Sequence, residues 1–129
     1  MSIMKRAEDG IWTEASIGRF WDYWSKRLDA HSHYFSYQVG REVVQFAELF
    51  GLLRGRVIDY GCGPGFLIAH LLSKSHLRVC GFDTSSKSAE FCNKKYAEFP
   101  NFGSVTSEVS RRGTVQKFDV LFCTEVLEH

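Results

Sequence analysis

"VIDYGCGPG", Val57 to Gly65, decides the fold of this 129-residue chain. An apolar run ends in a carboxylate, Asp59, and then carries glycine at every second position: Gly61, Gly63 and Gly65. "RVIDY" has the length and character of a buried strand, "GCGPG" of a turn, and "FLIAHLLSK" of a helix that starts directly behind it. Glycines placed there free the chain to adopt positive φ and remove the Cβ atoms that would hold a ligand away from the backbone. A tight turn without a ligand is the plain alternative.

The units around this stretch repeat its pattern. "LRVCGFD" reads as a second strand closed by Asp83. "SSKSAEFCNKKYAEF" sets Ala89, Cys92, Tyr96 and Phe99 on one helical face, with Ser85 or Ser86 as cap and Pro100 as terminator. A weaker third strand is expected over Phe102 to Thr106. "FDVLFC", Phe118 to Cys123, is almost continuously apolar, which predicts a strand buried on both faces of a parallel sheet. Upstream, Ile17, Phe20, Trp21, Trp24 and Leu28 recur at helical spacing behind a capping Thr13. Phe35, Val39, Val43, Phe46 and Phe50 form the stripe of a second helix that Gly51 stops, and "DAHSHY" between the two reads as a loop. Alternating strands and helices give a doubly wound parallel α/β sheet with right-handed crossovers, preceded by two helices. The chain accordingly divides into an N-terminal helical segment, 1–55, and a sheet domain, 56–129.

Composition narrows the class. Hydrophobic residues make up 44% and charged residues 24%, as in one soluble globular domain. Sixteen Lys and Arg against fifteen Asp and Glu leave a net charge of +1, so the overall balance does not indicate nucleic acid or a charged membrane as partner. Cys62, Cys80, Cys92 and Cys123 form no CxxC pair and no zinc spacing. With no signal-peptide core in "MSIMKRAEDG", the expectation is a cytoplasmic protein with reduced thiols. No apolar run approaches the roughly 20 residues that would cross a bilayer.

In an open parallel sheet, ligands gather where the strands end, beside a helix N-terminus. Asp83, about 20 residues beyond the glycine turn, is placed to accept hydrogen bonds from ribose hydroxyls, which points to an adenosine-containing ligand. Its other reading is a helix cap, a task that Thr84, Ser85 or Ser86 would perform equally well. A dinucleotide fingerprint needs a small residue where Phe66 stands, and Asp59 would repel a pyrophosphate in a partly desolvated crevice. A ligand with an ammonium and a sulfonium, S-adenosylmethionine, is attracted instead.

Taken together, "VIDYGCGPG", "GFD" and "FDVLFCTEVLEH" resemble class I S-adenosylmethionine-dependent methyltransferases over Arg56 to His129. The resemblance implies a Rossmann-like sheet of strand order 3-2-1-4, incomplete at the C-terminus, because the family adds further strands whose loops build the acceptor pocket. It also implies that Asp59, Gly61, Cys62 and Gly63 surround the methionine part, that Asp83 holds the ribose, and that Thr84 or Phe82 lies beside the adenine. Glu108, with Ser107 as rival, would approach the adenine amine, and Cys123 would offer its backbone. Arg41, on the helix before the first strand, is a candidate partner for the cofactor carboxylate, with Tyr34 or Tyr37 closing over the site; His31 and His33 are weaker candidates.

Methyl transfer needs mainly an acceptor held in line, and Glu125, Glu128 and His129 follow the fourth strand where an acid or base would face the methyl group. The expected function is methyl transfer to a small-molecule acceptor, with no metal. The spacing of Glu125, Glu128 and His129 also admits metal-assisted 2′-O-methylation at an RNA 3′ end. An NAD-dependent oxidoreductase and a non-catalytic module that uses Trp12, Trp21 and Trp24 as an interaction surface are the remaining alternatives. Leu127 to His129 read equally as the start of a vector-encoded polyhistidine tag. An open apolar fourth strand at the sheet edge predicts that the isolated chain self-associates or is marginally stable.

Overall fold

The computed structural model describes residues 13–108 and 116–124. Helix α1, Glu14–Ser25, begins at Thr13, whose hydroxyl accepts a hydrogen bond from Ser16 N at 3.1 Å while Ser16 Oγ accepts from Thr13 N at 2.7 Å. This reciprocal cap satisfies two orphan donors and fixes the start of the helix. The expected loop after it is instead a short 3-10 helix, Leu28–His33, held by backbone bonds such as Ala30 N to Arg27 O and anchored by buried Ala30.

Helix α2, Phe35–Leu49, corrects a second expectation. Its buried face is Gly40, Val44 and Ala47, whereas Phe46 and Phe50 of the predicted stripe are exposed and pair with each other, rings 4.6 Å apart. Small residues win that face because α2 lies close against the next helix. A Cβ at Gly40 would sit 3.3 Å from the His70 ring and 3.6 Å from Leu67.

The alternating units follow as read: β1 Arg56–Tyr60, α3 Phe66–Leu72, β2 Arg78–Phe82, α4 Ser86–Lys95, β3 Phe102–Thr106 and β4 Val120–Phe122. Ser85 caps α4 by accepting from Ser88 N. The helix ends before Phe99, which is exposed, so Ser88, Ala89 and Cys92, with Tyr96 at the C-cap, carry its buried face. All strand pairs are parallel, in the order β3-β2-β1-β4, with Val57 beside both Val79 and Val120. This is a Rossmann-like sheet. At its edge, Asp119 ties the start of β4 to β1, Oδ2 accepting from Arg56 N at 2.8 Å.

One face of the sheet holds the core. Val57, Val79, Phe102 and Val105 pack beneath Val44 and Ala47 of α2, Leu67, Ile68, Leu71 and Leu72 of α3, and Ala89, Cys92 and Tyr96 of α4. On the opposite face Ile58 is half-buried, and Tyr60 is partly exposed with its ring stacked on Phe82. Leu121 is 60% exposed, so β4 is not buried on both faces among the described residues; its apolar run is an edge strand with one covered side.

Gly65 joins β1's turn to α3 at φ 84, and a Cβ there would lie 2.8 Å from both Cys92 Sγ and the Tyr96 ring. Those neighbours belong to α4, so this glycine is required by packing as well as by its backbone angle. Gly65→Ala is expected to lower unfolding stability by about 2 to 4 kcal/mol, from left-handed strain plus overpacking. A urea midpoint matching the unsubstituted chain would remove that requirement.

Candidate functional site

The glycine turn clings to β2 before it reaches α3. Gly61 N and Cys62 N both donate to Phe82 O, at 2.7 and 3.0 Å, which draws the end of β1 onto the end of β2. There Asp83 binds both sides of the crevice: Oδ2 accepts from Gly63 N at 2.8 Å and Oδ1 from Ser85 N at 2.8 Å. A carboxylate has about four acceptor positions, so two remain for a ligand. Burial raises the Asp83 carboxyl above its ordinary range, and the two N–H donors partly offset that.

Asp59 lies deeper. It is 2% exposed, and its Oδ1 is buried without a hydrogen-bond partner. Burial, with the charge of Asp83 adding to it, pushes its carboxyl up to about 7. Two carboxylates therefore share one end of the sheet without a paired cation among the described residues. Taking a charge out of water costs far more when nothing neutralises it, so this pair favours a positively charged visitor or a proton.

In front of Asp83 opens a cavity of about 670 Å³, while Asp59 lies buried outside its lining. Gly61, Gly63, Asp83, Thr84 and Ser88 make its polar side, and Tyr60, Phe82 and Thr124 come from the strand ends. Ile17, Phe20, Trp21 and Trp24 of α1 form the facing wall, continued by Ala30, His33, Tyr34, Phe35 and Ser36. Its size is that of a small-molecule site. No lysine or arginine lines it among the described residues. Tyr34 lies over the turn, its ring 3.3 Å from where a Cβ on Gly63 would stand.

Of the residues singled out in the sequence, Gly61, Gly63, Asp83, Thr84, Phe82, Tyr34 and His33 are brought to the cavity. Cys62 is not: its side chain is in the hydrophobic core, and its thiol is pushed well above the ordinary range by a hydrogen bond with Cys92 and by burial. Cys62 and Cys92 Sγ both point at Gly63 O, at 3.7 and 3.4 Å, so these thiols brace the turn from behind. Gly65 is buried against α4 rather than at the cavity. Arg41 is exposed on α2, Tyr37 is exposed and packs on Phe66, and neither lines the cavity; Glu108 is exposed and Cys123 half-buried, also outside its lining. All four cysteines are free. Glu125, Glu128, His129 and Trp12 lie outside the described residues, among which no three His, Cys, Asp or Glu side chains converge as metal ligands.

Sequence reading missed the aromatic wall. Trp21 and Trp24 were legible as an apolar stripe, which usually means core; α1 instead has no fully buried residue and turns that stripe to the cavity.

A sequence model of the family described as "Methyltransferase domain" matches residues 30–129. The chain belongs to that family. The domain is 33% identical, over 91 residues, to the ubiquinone biosynthesis O-methyltransferase of Pasteurella multocida (strain Pm70), covering 61% of this chain and 37% of that protein. This chain thus aligns with little more than a third of the relative's length. Its fold is similar to that of an S-adenosylmethionine-dependent methyltransferase from Clostridium acetobutylicum ATCC 824, with TM-score 0.53, 18% identity, and coverage of 82% of this chain and 42% of that one. Coclaurine N-methyltransferase, solved with N-methylheliamine and SAH, is similar at TM-score 0.52 and 20% identity over 65% of this chain and 26% of that one.

The raised Asp59 carboxyl fixes the sign of a pH effect in the methyltransferase domain. Between about pH 4 and 7 the native state keeps a proton that the unfolded chain has released, so stability falls as pH rises through that window, by at most about 4 kcal/mol. Asp59→Asn is expected to abolish most of this fall when urea midpoints are compared at pH 5 and pH 8. An equal fall in the variant would assign the effect elsewhere.

Proposed function

We propose that this domain binds S-adenosylmethionine at the glycine turn and that the protein transfers its methyl group to a small-molecule acceptor. The observation that carries the reading is the unneutralised carboxylate pair. Asp83, with acceptor capacity left, lines a cavity without Lys or Arg among the described residues, and Asp59, with a buried oxygen lacking a partner, lies outside that lining at the same end of the sheet. Such a site repels a pyrophosphate and attracts an ammonium or sulfonium. The residues present fit the cofactor: Asp83 would take the ribose hydroxyls, Gly61 and Gly63 would admit its methionine part to the backbone, and Asp59 would balance its positive charge from behind the turn. Phe82 and Thr84 would flank the adenine. When bound, the sulfonium supplies an electrophilic methyl group.

The chain's own contribution is binding, orientation and exclusion of water. Ile17, Phe20, Trp21 and Trp24 dry the cavity, which strengthens every charge interaction inside it. An aromatic wall without Lys or Arg suits a neutral, apolar acceptor better than an RNA backbone. The name of the Pasteurella relative supports the same small-molecule class. Among the described residues no helix is long and apolar enough to cross a membrane.

Calorimetry with S-adenosylhomocysteine and NAD on one sample tests the assignment. The homocysteine nucleoside is expected to bind and NAD not to. Asp83→Ala should weaken that binding by at least about tenfold, as for a lost charged hydrogen bond. Because a cation favours the ionised form of Asp59, affinity should rise as pH passes upward through about 7, with a proton released on binding. Binding of NAD with indifference to S-adenosylhomocysteine would overturn the proposal.

The open edge carries a separate expectation. With Leu121 largely exposed on β4, the chain should self-associate, and Leu121→Lys should reduce that association in sedimentation velocity. Monodisperse monomer for both proteins, at concentrations up to the micromolar range, would refute it.

A further inference from the structure

Helix α1 forms a wall of the cavity yet contributes nothing to the core, since none of its residues is fully buried. Polar contacts therefore matter to its placement. Two hydrogen bonds join α1 to the start of α4 through one atom, Asp22 Oδ1: the Ser85 hydroxyl donates to it at 2.6 Å and Lys87 N at 3.1 Å. Asp22 thereby caps α4 from another helix, satisfying an N-terminal donor that α4's own residues leave free. Burial alone would raise its carboxyl, but the Ser85 hydroxyl, the Lys87 N–H and the charges of Lys26 and Lys87 outweigh that and hold it below its ordinary range. Nearby, Gly18 brings the backbone of α1 against the carbonyl of Thr84, 3.5 Å from where its Cβ would stand.

The residue that Asp22 grips is also the next link to the site. Ser85 N donates to Asp83 Oδ1, and Asp83 Oδ2 accepts from Gly63 N in the glycine turn. A continuous set of hydrogen bonds therefore runs from α1 through Asp22, Ser85 and Asp83 to Gly63. We propose that Asp22 is the latch of a lid: its carboxylate holds the aromatic face of α1 over the cavity and, through Ser85, positions Asp83 for its ligand. Asp22 touches no ligand in this scheme, so it is a positioning residue. Local residue patterns carry no hint of it, because the partners are 63 and 65 residues away.

The ligand half of the proposal rests on the S-adenosylmethionine reading, whereas the lid half does not, and the test separates them. All three tryptophans lie within residues 12–24, so their fluorescence reports on this end of the chain. Acrylamide quenching of the free protein and the dissociation constant of S-adenosylhomocysteine are measured for the unsubstituted chain, Asp22→Ala and Asp22→Asn. Asp22→Ala is expected to increase the quenching constant about twofold and to weaken binding about tenfold, as for loss of a charged hydrogen bond, with the sheet still folded by far-ultraviolet circular dichroism. Asp22→Asn, which keeps an acceptor oxygen without the charge, should fall between. If the unsubstituted chain fails to bind S-adenosylhomocysteine but Asp22→Ala still exposes the tryptophans, the latch stands and the cofactor assignment falls. Unchanged quenching in Asp22→Ala, or unfolding of the whole domain by both substitutions, overturns the latch.

Discussion

The carboxylate of Asp83 is the joint on which the site depends. By accepting from Gly63 N on one side and Ser85 N on the other, it fastens the turn after β1 to the start of α4. It adds to the bonds of Gly61 N and Cys62 N to Phe82 O, which tie the same two loops closer to the strands. Its position at the end of β2 follows from the parallel register, which sets Tyr60 beside Phe82 and so brings both turns to the same end of the sheet. Gly63 presents that N–H from a left-handed backbone angle, φ 50, which favours glycine.

Charge gives the same place its selectivity. Asp59 is buried with a bare oxygen, its nearest ionisable influence is another carboxylate, and the opposing wall is aromatic. A site built for stability alone would pair or remove such a group, since burying one unneutralised charge is among the costliest features a domain can carry. The thiols of Cys62 and Cys92 show the contrasting case. They also lie behind the turn, but as weakly polar fillers that meet the Gly63 carbonyl and ask nothing of a ligand.

Much of this was legible in the order of residues. The strand, turn and helix units around Val57–Gly65, the Thr13 and Ser85 caps and the acid at position 83 follow from local periodicity and capping chemistry, and all appear where expected. Errors arose where tertiary packing chose between faces. On α2 the bulky stripe of Phe46 and Phe50 looked like the core side, but close approach to α3 rewarded Gly40 and Ala47. On β4 the apolar run implied burial on two sides, yet an edge position leaves Leu121 open. Cys62 alternates away from the cavity between its glycine neighbours, which a motif cannot reveal without the turn's geometry. Asp22 was invisible for a different reason: its meaning lies wholly in a contact made across 63 residues.

The order β3-β2-β1-β4 has a consequence for how the chain is made. One of the two inner strands, β1, has one neighbour that follows it closely and another, β4, whose anchoring Asp119 is 63 residues downstream of Arg56. On a ribosome, β1 would emerge and pair with β2 while its other side waited, apolar and unpaired, for several seconds of synthesis. That delay leaves nascent chains open to sticking together until β4 adds to the edge of β1.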